Sequence, residues 1–149
     1  MTPHPISDTY LDVQTARVFA ILPAAGAWDA APTEMACPGF DYVTLYVSYI
    51  EGAVPGGAVD FRIEISPDST GAVWHRLSVQ ALGALAPGAD VESDIQAGDF
   101  SFNPTTVNRE YFSYGPIQLG GTVERIRVAA QETGQVATPG SCEIELRFG

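Results

Sequence analysis

A chain of 149 residues has room for one ordinary globular domain and can bury a core without disulfides. Hydrophobic residues make up 46% and charged residues 17%, with 15 Gly and 11 Pro, which is too apolar for a disordered chain and too rich in turn formers for a helical bundle. Acidic residues number 18 against 7 basic ones, for a net charge of −11, and every basic residue is Arg. Such a surface repels phosphate backbones and anionic lipid, so nucleic-acid and membrane partners are disfavoured. The absence of Lys also removes Schiff-base chemistry and the P-loop lysine.

Residues 1–10 (MTPHPISDTY) have neither a basic nor an apolar signal region, and no apolar run approaches the roughly 20 residues that span a bilayer, so a soluble protein is expected. The polar, Pro-containing stretch 1–15 reads as an N-terminal arm, and 16–149 as a single domain. Residues 17–22 (RVFAIL) form a first short strand. Residues 23–32 hold two prolines, a glycine and Trp28, which denies helix and central strand and predicts a long loop.

The clearest strand is 41–50, where Val43, Leu45, Val47 and Tyr49 share one face and Tyr42, Thr44, Tyr46 and Ser48 the other. The second face is aromatic and hydroxylic, a composition that predicts cover by a loop or a neighbouring subunit. A strand over 59–66 points Val59, Phe61, Ile63 and Ile65 inward. With 73–80 it predicts a hairpin around the turn 66–71. Residues 81–99 read as a loop enclosing an edge strand near Ile95. Further strands are expected at 100–102, 109–114, 123–130 and 142–148, separated by 115–117, 120–122 and 138–141. If the last two pair, Arg125 and Arg127 face Glu143 and Glu145. Period-two alternation throughout predicts an all-β fold, an antiparallel β-sandwich or jelly roll of about 7–8 strands with an extended N-terminal arm.

Chemistry-bearing residues are sparse. His4 falls in the arm and His75 on a strand, which leaves no Ser/His/Asp or Cys/His constellation, and two Cys and two His at these spacings match no zinc module. Asp90, Glu92, Asp94 and Asp99 begin like a calcium loop, but Ile95 takes the glycine position and Ser101 the bidentate glutamate position, so a solvated acidic loop is the reading. No catalytic, metal or cofactor residue is assigned, and an enzyme is not expected. Cys142 alternates with Ile144, Leu146 and Phe148 and is expected as a buried thiol, with its pairing to Cys37 left open.

Residues 66–74 (SPDSTGAVW) resemble the Asp-box hairpin, with one extra residue between Asp68 and Gly71 and Val73 for Thr; the resemblance implies fold roles for Asp68, Gly71 and Trp74. A wider resemblance runs through VTLYVSY (43–49), GGAVDFRIEISPD (56–68), VWHR (73–76), YGP (114–116), GGTVERIRVA (120–129) and TPGS (138–141). In this order the segments look like small β-sandwich proteins encoded among the virion structural genes of tailed phages. What that implies is a capsid decoration (cement) protein, assembled in the host cytoplasm, located on the virion and partnered by itself, as a homotrimer, and by the major capsid protein. The candidate interface residues are Tyr42, Thr44, Tyr46, Ser48 and Trp28. The alternative is a carbohydrate-binding β-sandwich module using Trp28, Tyr42, Tyr46 and Trp74, against which stands the expectation that Trp74 lies in the core with Trp28 covering it.

Overall fold

The computed structural model describes residues 12–77, 79–80, 95–96 and 99–149. Its strands are β1 (Val13–Ile21), β2 (Met35–Ala36), β3 (Tyr42–Ile50), β4 (Val59–Ser66), β5 (His75–Arg76), β6 (Val79–Gln80), β7 (Ile95–Gln96), β8 (Asp99–Phe102), β9 (Glu110–Gln118), β10 (Arg125–Glu132) and β11 (Ser141–Phe148). One sheet has the order β1-β11-β3-β9; the other has β2-β10-β4-β5, with β8 also paired to β4, and β6 and β7 pair with each other. Every pairing is antiparallel. The fold is an antiparallel β-sandwich.

The alternation seen in the sequence builds the core. Val43, Leu45, Val47 and Tyr49 of β3, with Cys142, Ile144 and Leu146 of β11, face Val59, Phe61 and Ile63 of β4 and Ile126, Val128 and Ala130 of β10, all of them buried. Aromatic rings close the β9 side. Phe112 stacks on Phe102 at 3.8 Å and on Phe61 at 5.6 Å, while Phe100 meets Tyr114 at 4.0 Å.

Several expectations change. Residues 1–11 of the arm lie outside the described residues, and β1 takes up Val13, Gln14 and Thr15, paired with Arg147, Leu146 and Glu145. The 59–80 hairpin is only partly formed: β5 holds two residues against β4, while β6 pairs with β7, where the edge strand near Ile95 was expected. β9 runs through Gly115, Pro116 and Ile117, which the sequence reads as a break. A register shift between Val43 and Leu45 and the positive φ of Gly115 absorb the proline there, and an edge strand has a side on which the missing N–H costs nothing. Arg125 and Arg127 do not face Glu143 and Glu145, because β10 and β11 belong to different sheets. Instead Arg127 pairs with Glu64 of β4 at 3.1 Å and Arg125 donates to the Ser69 carbonyl at 2.7 Å. The Asp-box turn does form, Asp68 accepting from the N–H of Thr70 and Ala72 and from the Thr70 hydroxyl.

At the end of β10 a carboxylate enters the core. Glu132 is 1% exposed. Its Oε1 accepts from the Tyr49 hydroxyl (2.7 Å) and the Gly140 N–H (2.8 Å), and its Oε2 from the N–H groups of Ala58 (2.7 Å), Gly134 (3.0 Å) and Gln135 (3.1 Å). Burial alone would raise this carboxyl's pKa, but the converging donors overcome it and hold the group below the ordinary carboxylate range. Two of the donors come from glycines with no room for a side chain. A Cβ on Gly134 would collide with the Gly56 carbonyl, and one on Gly140 with the Ile50 carbonyl.

Phe61→Ala is expected to cost about 3–5 kcal/mol in urea unfolding, as truncation of a fully buried aromatic does. Glu132→Gln turns an amide NH2 toward N–H donors and is expected to cost about 2–4 kcal/mol. Because the folded-state pKa of Glu132 is lowered, its contribution is complete above the unfolded-state pKa and is lost as pH falls through the folded one. The stability gap between wild type and Glu132→Gln is therefore expected to narrow with acidification in a urea series from neutral to acid pH.

Candidate functional site

The outer face of the four-stranded sheet carries its side chains in rows set by register. Glu143 of β11, Ser48 of β3 and Tyr111 of β9 are aligned, and Glu145, Tyr46 and Ser113 form the next row. Arg109, just before β9, lies across the first row. Its Nε and Nη2 donate to Ser48 Oγ at 3.1 and 2.8 Å, Nη2 stands 3.7 Å from Glu143, and the guanidinium sits 4.0 Å above the Phe19 ring of β1 and 5.3 Å from that of Tyr111. One side chain thus spans all four strands, which leaves Ser48 only 2% exposed. The turn that delivers Arg109 is held by Glu110, whose carboxylate accepts from the Thr105 N–H (2.8 Å) and hydroxyl (2.6 Å). Those bonds, the hydroxyl's foremost, keep the Glu110 carboxyl below its usual range.

Arg147, in register with Thr44 beside the second row, donates to Glu145 Oε1 at 2.9 Å and lies 5.2 Å from the Tyr46 ring centre. Between the two rows runs an open groove of about 320 Å³, lined by Tyr46, Ser48, Tyr111, Ser113, Glu143 and Glu145 together with Val47 and Phe112. Tyr46 is 47% exposed and Tyr111 74%.

Of the residues singled out from the sequence, Tyr42, Thr44, Tyr46 and Ser48 share this face. Tyr42 and Tyr46 are exposed, and Ser48 lies beneath Arg109. Trp28 is elsewhere, on the outer side of the five-stranded sheet, where the Arg62 guanidinium stacks on its ring at 4.2 Å and pairs with Asp99. Trp74 is not in the core, contrary to the expectation. Trp74 is half-buried with Arg127 on its ring at 4.2 Å, because it immediately precedes β5, the edge strand of its sheet, and meets the outward-facing Arg127 of β10. Arg109, Tyr111, Glu143, Glu145 and Phe19 were not anticipated. Ser48 and Arg109 are 61 residues apart in sequence and meet only through the β3–β9 register.

Chemical potential elsewhere is limited. Cys37 and Cys142 are buried free thiols, pushed up to about 12 by desolvation, with Glu124 adding to the effect at Cys37. Thiols of that pKa carry almost no thiolate at neutral pH and are poor nucleophiles. His75 is exposed on β5, and His4, Asp90, Glu92 and Asp94 lie outside the described residues. Among the described residues no group of three His, Cys, Asp or Glu side chains is placed to hold a metal ion, and no helix is long and apolar enough to cross a membrane. Comparison with protein-family models, with curated proteins and with solved structures gave no match.

The thiol environment predicts a titration. In native buffer neither Cys37 nor Cys142 is expected to react promptly with an aromatic disulfide reagent, and both are expected to react after unfolding in guanidinium. Prompt labelling of Cys142 in the native protein would place it off the inner face.

Proposed function

We propose that the protein is a non-enzymatic structural component of a virion, a capsid decoration protein that assembles with copies of itself, as a trimer, and with the major capsid protein on the shell of a tailed phage. One observation carries the contact role. Of eleven large hydrophobic residues exposed among the described residues, seven (Val13, Val18, Phe19, Ile21, Tyr42, Tyr46 and Tyr111) belong to strands of the four-stranded sheet, whereas the other four, all valines, lie outside both sheets. Scattered apolar residues are ordinary on a surface, but clustering of this kind marks a contact face.

Charge favours the β1 end for contact between copies. The segment Val13–Ile21 contains no acid, and its one charge, Arg17, is turned inward onto Asp29 and the carbonyls of Ala20, Ile21 and Cys142. Two chains of net charge −11 meet there without bringing carboxylates together. The placement on a phage shell rests on the resemblance of the segments between residues 43 and 141 to tailed-phage virion proteins.

In size-exclusion chromatography with light scattering, the full chain is expected to run as an oligomer. Val18→Ser combined with Ile21→Ser is expected to shift it toward monomer with unchanged circular dichroism. Because the contacts are mainly apolar, raising the salt should leave the oligomer intact. Mass spectrometry of purified particles should find the chain in stoichiometric amounts. A monomer at working concentration, a salt-labile oligomer, or absence from the particles would defeat the proposal.

A further inference from the structure

Beyond self-assembly, we infer that the groove between Tyr46 and Tyr111 is a binding site for a neutral saccharide. The sugar-binding alternative raised by the sequence rested on Trp28, Tyr42, Tyr46 and Trp74. Neither tryptophan lies at a concavity of the four-stranded sheet, whereas the groove that this sheet builds has Tyr46 and Tyr111 as its aromatic walls.

The groove's charge selects the ligand. Its two carboxylates are matched by two internal guanidinium groups, Glu145 by Arg147 and Glu143 by Arg109, and the same arginines lie on the two tyrosine rings. An anionic ligand meets Glu143 and Glu145 directly, on a protein of net charge −11. A cationic ligand has to displace an arginine held both by a carboxylate and by an aromatic ring. A purely apolar ligand buries carboxylate oxygens and the Ser113 hydroxyl against a surface that offers them no new partner, which is costly. A neutral polyol with one apolar face avoids all three penalties. Its C–H face lies on a tyrosine ring while its hydroxyls donate to the fixed carboxylate oxygens.

Preorganisation and size agree with this. Arg109 is held by Ser48, Phe19 and Tyr111, so this wall of the groove is in place before any ligand arrives, and less conformational freedom is lost on binding. About 320 Å³ is at the low end for small-molecule clefts, enough for about one or two sugar rings. The groove lies among β3, β9 and β11, so copies that meet through Val18 and Ile21 of β1 leave it open, and Tyr46 and Tyr111 then serve the saccharide rather than a second copy.

The test is a glycan array carrying neutral, sialylated and sulfated oligosaccharides, probed with the full chain, followed by titration of the best neutral glycan. Binding to neutral glycans is expected, little changed by moderate salt. Tyr111→Ala and Tyr46→Ala, both at exposed positions, are each expected to weaken it at least tenfold, and Trp28→Ala is expected to leave it unchanged, with circular dichroism verifying the fold of each variant. No glycan bound, binding confined to acidic glycans, or full affinity retained by both tyrosine variants would overturn the inference. The oligomer and particle measurements are read separately, so failure here leaves the assembly proposal standing and the reverse also holds.

Discussion

A carboxylate taken out of water is costly unless hydrogen bonds replace its hydration, and Glu132 meets that demand with five donors. Those donors fix the chain path. Tyr49 lies on β3, Ala58 just before β4, Gly134 and Gln135 just after β10, and Gly140 just before β11. β3 and β11 belong to one sheet and β4 and β10 to the other, so a single side chain sets how the two sheets meet at that end. The apolar core between them is non-directional and tolerates sliding; the carboxylate, with its donors fixed in direction, does not. A second ionic tie works at the lateral side. Arg17 fills the irregular stretch of β1, donating to Cys142 and Ala20 carbonyls, and pairs with Asp29, whose carboxylate also accepts from the Ala130 N–H of β10.

Arginine is the recurring agent. Six of the seven arginines (Arg17, Arg62, Arg109, Arg125, Arg127 and Arg147) have a specific hydrogen-bonded partner, and four of those lie on aromatic rings. A planar guanidinium can stack and donate in a fork at once, which an ammonium cannot, and this gives a physical reason for a chain without lysine. The two outer faces diverge as a result. On the five-stranded sheet each indole has an arginine on it and each of those arginines an acid beside it, so polar and aromatic surface is largely spent internally. On the four-stranded sheet the tyrosines keep much of their surface for solvent, and contact chemistry concentrates there.

What the sequence made legible follows from what period two can encode. Alternation within 41–50 and 59–66 identified the inner faces, and Val43, Leu45, Phe61 and Ile63 are indeed buried, because side-chain direction is local to a strand. Partnership is not local. Nothing in residues 123–148 says that β10 and β11 sit in opposite sheets, so Arg127 was matched to the wrong glutamate, and Pro116 hid the continuation of β9 past Tyr114 because its bulge depends on β3. The site divided the same way. Tyr42, Thr44, Tyr46 and Ser48 were readable as one face of one strand, whereas Arg109, Tyr111 and Glu143 join them only through two long-range registers.

The ionisable groups also bear on the kind of work the fold suits. Glu132 is driven toward its charged form by its donors, Tyr49 and both thiols are driven toward their neutral forms by burial, and Glu143 and Glu145 are matched by arginine. Each arrangement favours one geometry. Surfaces held this way lose little freedom when a partner arrives, so the fixed charges that stiffen the sandwich also favour recognition by its tyrosine-bearing face.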